Sequence, residues 1–193
     1  MYAYIKGEIV KITKDYLVIE NNNIGYIIYM SEKSLNLFKE EDKDVIIHTY
    51  QNVKENEISL YGFKTIEEKT VFEKVITVTG IGVKSAINIL SKIEPSEFVL
   101  AVITSDLIKL SSLPGIGKKS AQRIVLELQD KLKTEDAVGA ENKSLVKGEV
   151  YEELVSALQI LGYTTKEIRK IEGKIEKELN IEEALKKALK IIS

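Results

Sequence analysis

The chain has 193 residues, of which 44% are hydrophobic, and its 28 basic and 30 acidic side chains give a formal net charge of −2. This length predicts two or three small domains, and the absence of cysteine excludes disulfides, thiolate metal sites and cysteine nucleophiles and favours a reducing compartment. No apolar run approaches the ~18 residues of a membrane span and residues 1–7 lack the apolar core of a signal peptide, so we expect a cytoplasmic protein without membrane contact.

Residues 1–63 have the pattern of β-strands. Short runs rich in β-branched and aromatic residues alternate with turn formers: Ile5–Ile12, Tyr16–Glu20, Gly25–Met30, Val45–Tyr50 and Ile58–Phe63. A short helix, Ser34–Phe38, fits between the third and fourth runs. We predict a small closed barrel of the oligonucleotide-binding (OB) kind, with a sandwich as the alternative. The single histidine, His48, lies in one run and is interpreted as structural, not as a base or ligand.

Residues 64–133 change to a helical period and contain an internal repeat. One pattern occurs twice, 35 positions apart: Gly80-Ile81-Gly82-Val83-Lys84-Ser85-Ala86 and Gly115-Ile116-Gly117-Lys118-Lys119-Ser120-Ala121. Downstream apolar residues recur at matching positions, which predicts a helix, a tight glycine hairpin and a helix in each copy. We expect an all-α domain that starts at a capping box of Thr65 with Glu68 and ends with a helix from Lys118 to about Leu132.

The repeated hairpins have the chemistry of an anion site. Lys84, Lys118 and Lys119 fall in the first turn of the following helices, where the helix dipole disfavours cations unless an external anion is bound. The alternative is that the glycines only make tight turns. A Walker A nucleotide loop is excluded, because Ser112 stands where its first glycine belongs and Lys119 where its hydroxyl belongs.

The distribution of charge indicates where a polyanion could bind. Residues 1–63 carry 7 basic and 10 acidic side chains, residues 64–133 carry 11 and 8, and residues 134–193 carry 10 and 12. Only the segment that contains the hairpins is net positive, so contact with a nucleic acid would be confined to it.

The remaining residues divide into a linker and a tail. Residues 134–147 have few large apolar residues and no period, which predicts a flexible linker. Residues 148–193 contain three amphipathic stripes: Val150 to Leu161, Ile168 to Leu179, and Leu185 to Ile192. Thr164 with Glu167 and Asn180 with Glu183 occupy N-cap positions. A three-helix bundle of this size is typical of a module that binds a partner protein.

The order of these segments makes the whole chain similar to one known protein family. Leu60-Tyr61-Gly62-Phe63 closes the β domain, Leu113-Pro114-Gly115-Ile116-Gly117-Lys118-Lys119 is the most specific stretch, and the linker and tail follow. The chain resembles the RuvA family, the Holliday-junction-binding subunits of bacterial branch migration. The resemblance implies a multidomain α+β protein: an OB-like barrel (1–63), a tandem helix-hairpin-helix domain (64–133), a flexible linker (134–147) and a UBA-like three-helix domain (148–193).

The resemblance also implies function and partners. A family member forms a flat homotetramer, or two tetramers around one junction, with barrels at the centre and hairpins on the four duplex arms. It would hold four-way junction DNA open, recruit the hexameric ATPase RuvB through the tail in recombination and repair, and have RuvC resolvase as a further candidate partner. It would have no catalytic site, metal or cofactor of its own.

The residues that would contact the DNA backbone lie in the two hairpins and the helices after them: Gly80, Ile81, Gly82, Lys84, Gly115, Ile116, Gly117, Lys118, Lys119 and Arg123. In the family, an acidic pin in the turn before the last strand faces the junction crossover. Glu55 matches its first position, Asn56 replaces the usual aspartate at the second, and Glu57 restores a charge one residue later. The alternative for this turn is a solvated hairpin tip.

Two other classes of function stay open at the level of sequence. A helix-hairpin-helix glycosylase needs a lysine or aspartate in a base-sized pocket, and a nuclease needs clustered carboxylates for metal, whereas Glu127 and Asp130 stand apart here. A scaffold of helical hairpins that binds only protein is the third interpretation, and it predicts no retention of DNA at low salt.

Overall fold

The computed structural model describes residues 1–136, 149–171, 174–175 and 179–192. Its first domain is a closed barrel with strand order β1-β2-β3-β5-β4. The strands are β1 (Tyr4–Ile12), β2 (Tyr16–Asn21), β3 (Ile24–Tyr29), β4 (Val45–Lys54) and β5 (Glu57–Phe63), and helix α1 (Glu32–Leu35) lies between β3 and β4. Only the β3–β5 pair is parallel among these neighbours, and it closes the barrel. The closed OB-like barrel is confirmed and the sandwich is not formed.

The barrel interior is filled by aliphatic side chains that alternate along the strands. Ile9, Leu17, Ile19, Ile28 and Ile47 are fully buried there. Because successive side chains of a strand point to opposite faces, their neighbours form the outer surface of the barrel.

Two elements of the barrel differ from the sequence prediction by more than one residue at an end. Strand β4 continues four residues past Tyr50, because it stays paired with β5 as far as the Lys54–Glu57 pair. Helix α1 begins and ends earlier than Ser34–Phe38, since Ser31 is its N-cap and its side chain accepts a hydrogen bond from the Ser34 amide.

The second domain is all-α, as the sequence predicts. Its helices are α2 (Ile66–Val75), α3 (Val83–Leu90), α4 (Pro95–Ile103), α5 (Leu107–Ser111) and α6 (Lys118–Asp136). Only half of the expected capping box forms at α2. The Thr65 hydroxyl accepts from the Glu68 amide at 3.1 Å, but the Glu68 carboxylate accepts from the Lys64 amide instead of that of Thr65.

Barrel and helical domain meet in an aromatic seam. The ring of Phe72 in α2 lies 4.7 Å from that of Phe63, 5.2 Å from that of Tyr50 and 6.3 Å from that of Tyr61, measured between centroids. A polar contact flanks the seam, where the Ser34 hydroxyl donates to Glu68 Oε1 at 2.9 Å. Packing and hydrogen bonds therefore fix the helical domain against the barrel.

The tail forms α7 (Glu149–Ile160), α8 (Thr165–Ile168) with a 3-10 turn (Arg169–Ile171), and α9 (Ile181–Ile192). The capping box of Thr164 with Glu167 is complete, and Asn180 Oδ1 accepts from the Glu183 amide at 3.0 Å. The stripe predicted to continue helically to Leu179 does not do so, since Ile175 lies in a bend. Gly173 lies within that stripe, and glycine weakens a helix interior.

The tail packs on the helical domain and shares its hydrophobic core. Leu154 and Leu158 of α7 belong to the same buried cluster as Phe98 and Val102 of α4. The Tyr163 hydroxyl and Glu67 Oε1 are 3.1 Å apart in a hydrogen bond across this contact. Residues 137–147 of the predicted linker lie outside the described residues, and residues 134–136 continue α6. No helix among the residues described is long and apolar enough to cross a membrane.

Glu68 makes the stability of the seam depend on pH. Burial raises the pKa of its carboxyl above the ordinary 4.5, an effect partly opposed by the hydrogen bond from Ser34. The protonated carboxyl is therefore favoured in the folded state, and its contribution to stability is full below the ordinary pKa and is lost as pH rises through the raised one.

Glu68→Gln, which stays uncharged, should thus gain thermal stability relative to the wild type as pH rises from about 4 to about 7. Unfolding midpoints of the two proteins across this range measure the effect. A variant that loses stability relative to the wild type as pH rises would contradict the argument.

Candidate nucleic-acid interface

The two repeats fold into hairpins of the same geometry. In the first, Gly80 has φ +89° and the Ile81 amide donates to the Val78 carbonyl at 3.0 Å. The second repeats this turn, with Gly115 at φ +75° and a 3.1 Å bond from the Ile116 amide to the carbonyl three residues earlier. Glycine is favoured at the two positive-φ positions, because an L side chain is strained there.

The isoleucine between the glycines of each hairpin is an anchor in the core. Ile81 is 7% exposed and Ile116 is 6% exposed, and each packs into the common core of the helical domain. Their amides are already used in the turns. The groups left for an external anion are therefore the amides of the first turn of α3 and of α6, which have no partner within an α-helix.

The second glycine of each hairpin is not explained by steric strain. Gly82 has φ −91° and ψ 171°, and Gly117 is not among the positive-φ glycines. A Cβ built at either position meets nothing within 4 Å. Both residues start a helix, since their carbonyls accept from the amides of Ala86 and Ala121. The space in front of each helix N-terminus is open, so a backbone or phosphate can approach closely.

The lysines that follow are exposed and form no salt bridge among the described residues. Lys84 lies in the first turn of α3, and Lys118 and Lys119 lie in that of α6. Neither turn contains an acidic residue, and none of the three lysines forms a salt bridge within the described part of the chain. The structure thus brings open helix N-termini and exposed lysines together at both hairpins.

Arg123 is used at the first hairpin, although it follows the second in sequence. Its Nη1 donates to the Thr79 carbonyl at 3.0 Å, and Glu127 Oε2 accepts from the Thr79 amide at 3.1 Å. From sequence, Arg123 is expected among the backbone contacts and Glu127 has no role. An Arg and a Glu four residues apart on a helix are typical of an exposed ion pair, so no sequence signal points to this contact.

The acidic turn lies at the tip of the β4–β5 hairpin. Lys54 pairs with Glu57 across the two strands, so Glu55 and Asn56 alone form the turn. All three pin candidates, Glu55, Asn56 and Glu57, are exposed. Glu57 lies on β5 in register with Lys54 of β4, whereas Glu55 lies in the turn itself.

His48 is a half-buried strand residue, as predicted. It pairs with Tyr4 and with Phe63 in the barrel, and desolvation lowers the pKa of its imidazole below 6.5, with a further contribution from the Lys69 charge. Across the described residues, no three or more His, Asp and Glu side chains come together as a metal site would require.

Three family models match the chain in order. Residues 1–62 match the RuvA N terminal domain, residues 72–130 the SAM-like helix-hairpin-helix tandem, and residues 149–193 the RuvA C-terminal domain.

Curated relatives match over the full length. A protein of Ruminiclostridium cellulolyticum is 41% identical over 197 residues, which cover 98% of this chain and 99% of the relative. One of Acetivibrio thermocellus is 44% identical and covers 98% of each chain. One of Clostridium perfringens is 40% identical over 200 residues, covering 100% of this chain and 99% of its own. Each is named Holliday junction branch migration complex subunit RuvA.

Substitutions at the two glycines of the second hairpin separate an effect on folding from an effect on DNA binding. Gly117→Ser should keep or raise the unfolding midpoint, because serine is at least as good an N-cap and its Cβ meets no atom. The same variant should bind duplex DNA more weakly at low salt, since its side chain stands in front of the helix N-terminus.

Gly115→Ser is the matched variant, and it should lose about 1–2 kcal/mol of unfolding free energy because of its positive φ. Wild-type affinity of Gly117→Ser would show that no backbone approaches there.

Proposed function

The chain belongs to the RuvA family, and from this premise we propose that it binds Holliday junctions by their phosphate backbones, without sequence preference, as a non-catalytic subunit of a branch migration complex. The observation that carries the proposal is the pair of matching hairpins. Each combines an open helix N-terminus, a glycine that no fold contact requires, and an exposed lysine in a first helical turn that has no acidic residue.

The chemistry of the hairpins fits a duplex backbone. Backbone amides at a helix N-terminus donate to phosphate oxygens, and nearby lysines displace counterions. Such contacts fix the position of a duplex but carry no sequence information. Selectivity would therefore come from the arrangement of several duplex arms, which suits a four-way junction better than a linear duplex.

We further propose that the barrels meet at the centre of a homotetramer and hold the junction open and square-planar. The outer surface of the barrel supports this, because large apolar side chains are exposed on its strands and monomers rarely leave such patches uncovered. They include Tyr4, Val10, Ile24, Ile27 and Ile46. A second tetramer on the other face of the junction, and RuvC as a further partner, belong to the same proposal.

The tail is proposed to recruit the ATPase RuvB. Helices α8 and α9 lie in a separate sequence segment from the DNA-binding hairpins and keep exposed polar faces. The tail can thus receive a partner while the hairpins hold DNA, and the motor chemistry would reside in that partner.

The alternative of a nuclease finds no support at Glu127. This carboxylate accepts a hydrogen bond from the Thr79 amide and is thereby engaged within the protein.

The hairpin lysines should determine the salt dependence of binding. Lys84→Ala with Lys118→Ala should reduce the slope of log affinity against log salt by roughly 0.9 for each phosphate that a lysine no longer neutralises. Titration of a four-way junction and of linear duplex of the same sequence at several salt concentrations measures this. Lys166→Ala with Lys190→Ala, which removes equal charge from exposed positions of the tail, is the control and should change the slope less. An unchanged slope in the hairpin variant would refute the assignment of these lysines.

The acidic turn should act on the junction centre and not on overall affinity for duplex. Glu55→Gln with Glu57→Gln should change the preference for junction over duplex and the rate of branch migration with RuvB. The reason is that the uncharged turn repels the phosphates at the crossover less strongly.

The single variants Glu55→Gln and Glu57→Gln show how much each residue contributes to the change in preference and rate. Since Glu55 lies at the tip of the turn and Glu57 lies on β5 in register with Lys54, Glu55→Gln should account for most of it. If preference and rate both stay at the wild-type values in the double variant, the turn is only a solvated tip.

A further inference from the structure

We propose that Glu127 and Arg123 are positioning residues, a clamp that fixes the first hairpin to α6 so that both hairpins hold one duplex backbone as a unit. This inference rests on the function proposed above. It concerns how the two hairpins are held in position, and not whether the chain binds a junction.

The clamp satisfies both backbone polar groups of a single residue. The Thr79 amide donates to Glu127 Oε2 at 3.1 Å, and the Thr79 carbonyl accepts from Arg123 Nη1 at 3.0 Å. Arg123 and Glu127 are one helical turn apart, so they reach the two peptide groups that flank Thr79 from one face of α6. Thr79 directly precedes Gly80, whose positive φ forms the turn, so the clamp acts on the hairpin itself.

The second hairpin shows why the first needs such a clamp. Pro114 occupies the place of Thr79 in the repeat, and proline has a fixed φ and no amide hydrogen. The positions of Arg123 and Glu127 in the first repeat are taken by Asn88 and Lys92. The second hairpin is thus rigid through its own proline and is continuous with α6, whereas the first gains its rigidity from a tertiary contact.

Electrostatics alone would oppose Glu127 at this place. It adds negative charge close to a hairpin proposed to bind a polyanion, so its charge should weaken DNA binding. The bond to the Thr79 amide supplies a reason for its presence. Arg123 uses one of its five N–H donors on Thr79 and keeps others that can face a phosphate. If Glu127 acted only through its charge, loss of its side chain should strengthen DNA binding. If Glu127 is part of the clamp, the same loss should weaken DNA binding.

The test compares variants that separate the reach of the Glu127 side chain from its charge. Glu127→Gln keeps an acceptor at the same distance without charge, and Glu127→Asp keeps the charge with a side chain one methylene shorter. If the clamp operates, the Glu127→Gln variant should bind a four-way junction as well as the wild type or more tightly. The Glu127→Asp and Glu127→Ala variants should bind it roughly three- to tenfold more weakly. Glu73→Ala, an exposed change on α2, is the control and should not weaken binding.

Double variants locate the effect. Glu127→Ala combined with Lys84→Ala should cost less than the sum of the single losses, because both act through the first hairpin, whereas its combination with Lys118→Ala should be additive. Amide hydrogen exchange at Thr79 should accelerate in Glu127→Ala and Glu127→Asp but not at the second hairpin.

Two results would overturn the clamp: Glu127→Asp binding like the wild type while Glu127→Gln is weakened, or Glu127→Ala and Glu127→Asp both binding as tightly as the wild type. If Glu127→Ala does not fold, the Gln and Asp pair decides alone. A wild-type chain that shows no preference for the junction refutes the proposed function instead, so the two failures are distinguishable.

Discussion

The packing of Phe72 is the contact on which the arrangement of the molecule depends. This one ring, at the centre of α2, meets Tyr50, Tyr61 and Phe63 of the last two barrel strands, and it is itself fully buried in the core of the helical domain. Aromatic pairs of this kind bury large areas and tolerate few relative orientations. The last barrel strand and both hairpins therefore share one packed core, which joins the hairpin that bears the acidic turn to the helical domain.

The same core extends into the tail and gives the tail its stability. A domain of about 45 residues is marginal alone, because it buries too little of its surface. Here α7 packs on α4, and Tyr163 reaches Glu67 across the contact. The positive φ of Gly162, +93°, turns the chain directly against Thr70, which leaves no room for a side chain there. The sequence predicted a three-helix bundle after a flexible linker because its stripes are amphipathic, and an amphipathic stripe does not reveal which domain covers it.

Features that a few consecutive residues specify could be predicted from the sequence, whereas contacts between residues distant in sequence could not. The hairpin geometry follows from the repeat, since each Gly-Ile-Gly turn is specified by a few consecutive residues, and the strands follow from their composition and turn formers. The role of Arg123 could not be inferred in the same way, because its partner Thr79 lies 44 residues away. Likewise, Ile81 and Ile116 looked like parts of the DNA-binding surface, and only the fold reveals that their side chains and amides are both used internally.

The distribution of acidic residues at helix N-termini is an independent argument for an external anion. Helices α1, α2, α4, α8 and α9 each have a glutamate in the first turn, which complements the positive end of the helix dipole, and the short α5 has Asp106 as its N-cap. Helices α3 and α6 have no acidic residue in the first turn and carry lysines there instead. A glutamate in either turn would stabilise the helix, and this chain is rich in glutamate. Its absence at the two hairpins, at the place where each glycine leaves the N-terminus open, is explained if the negative charge comes from a ligand.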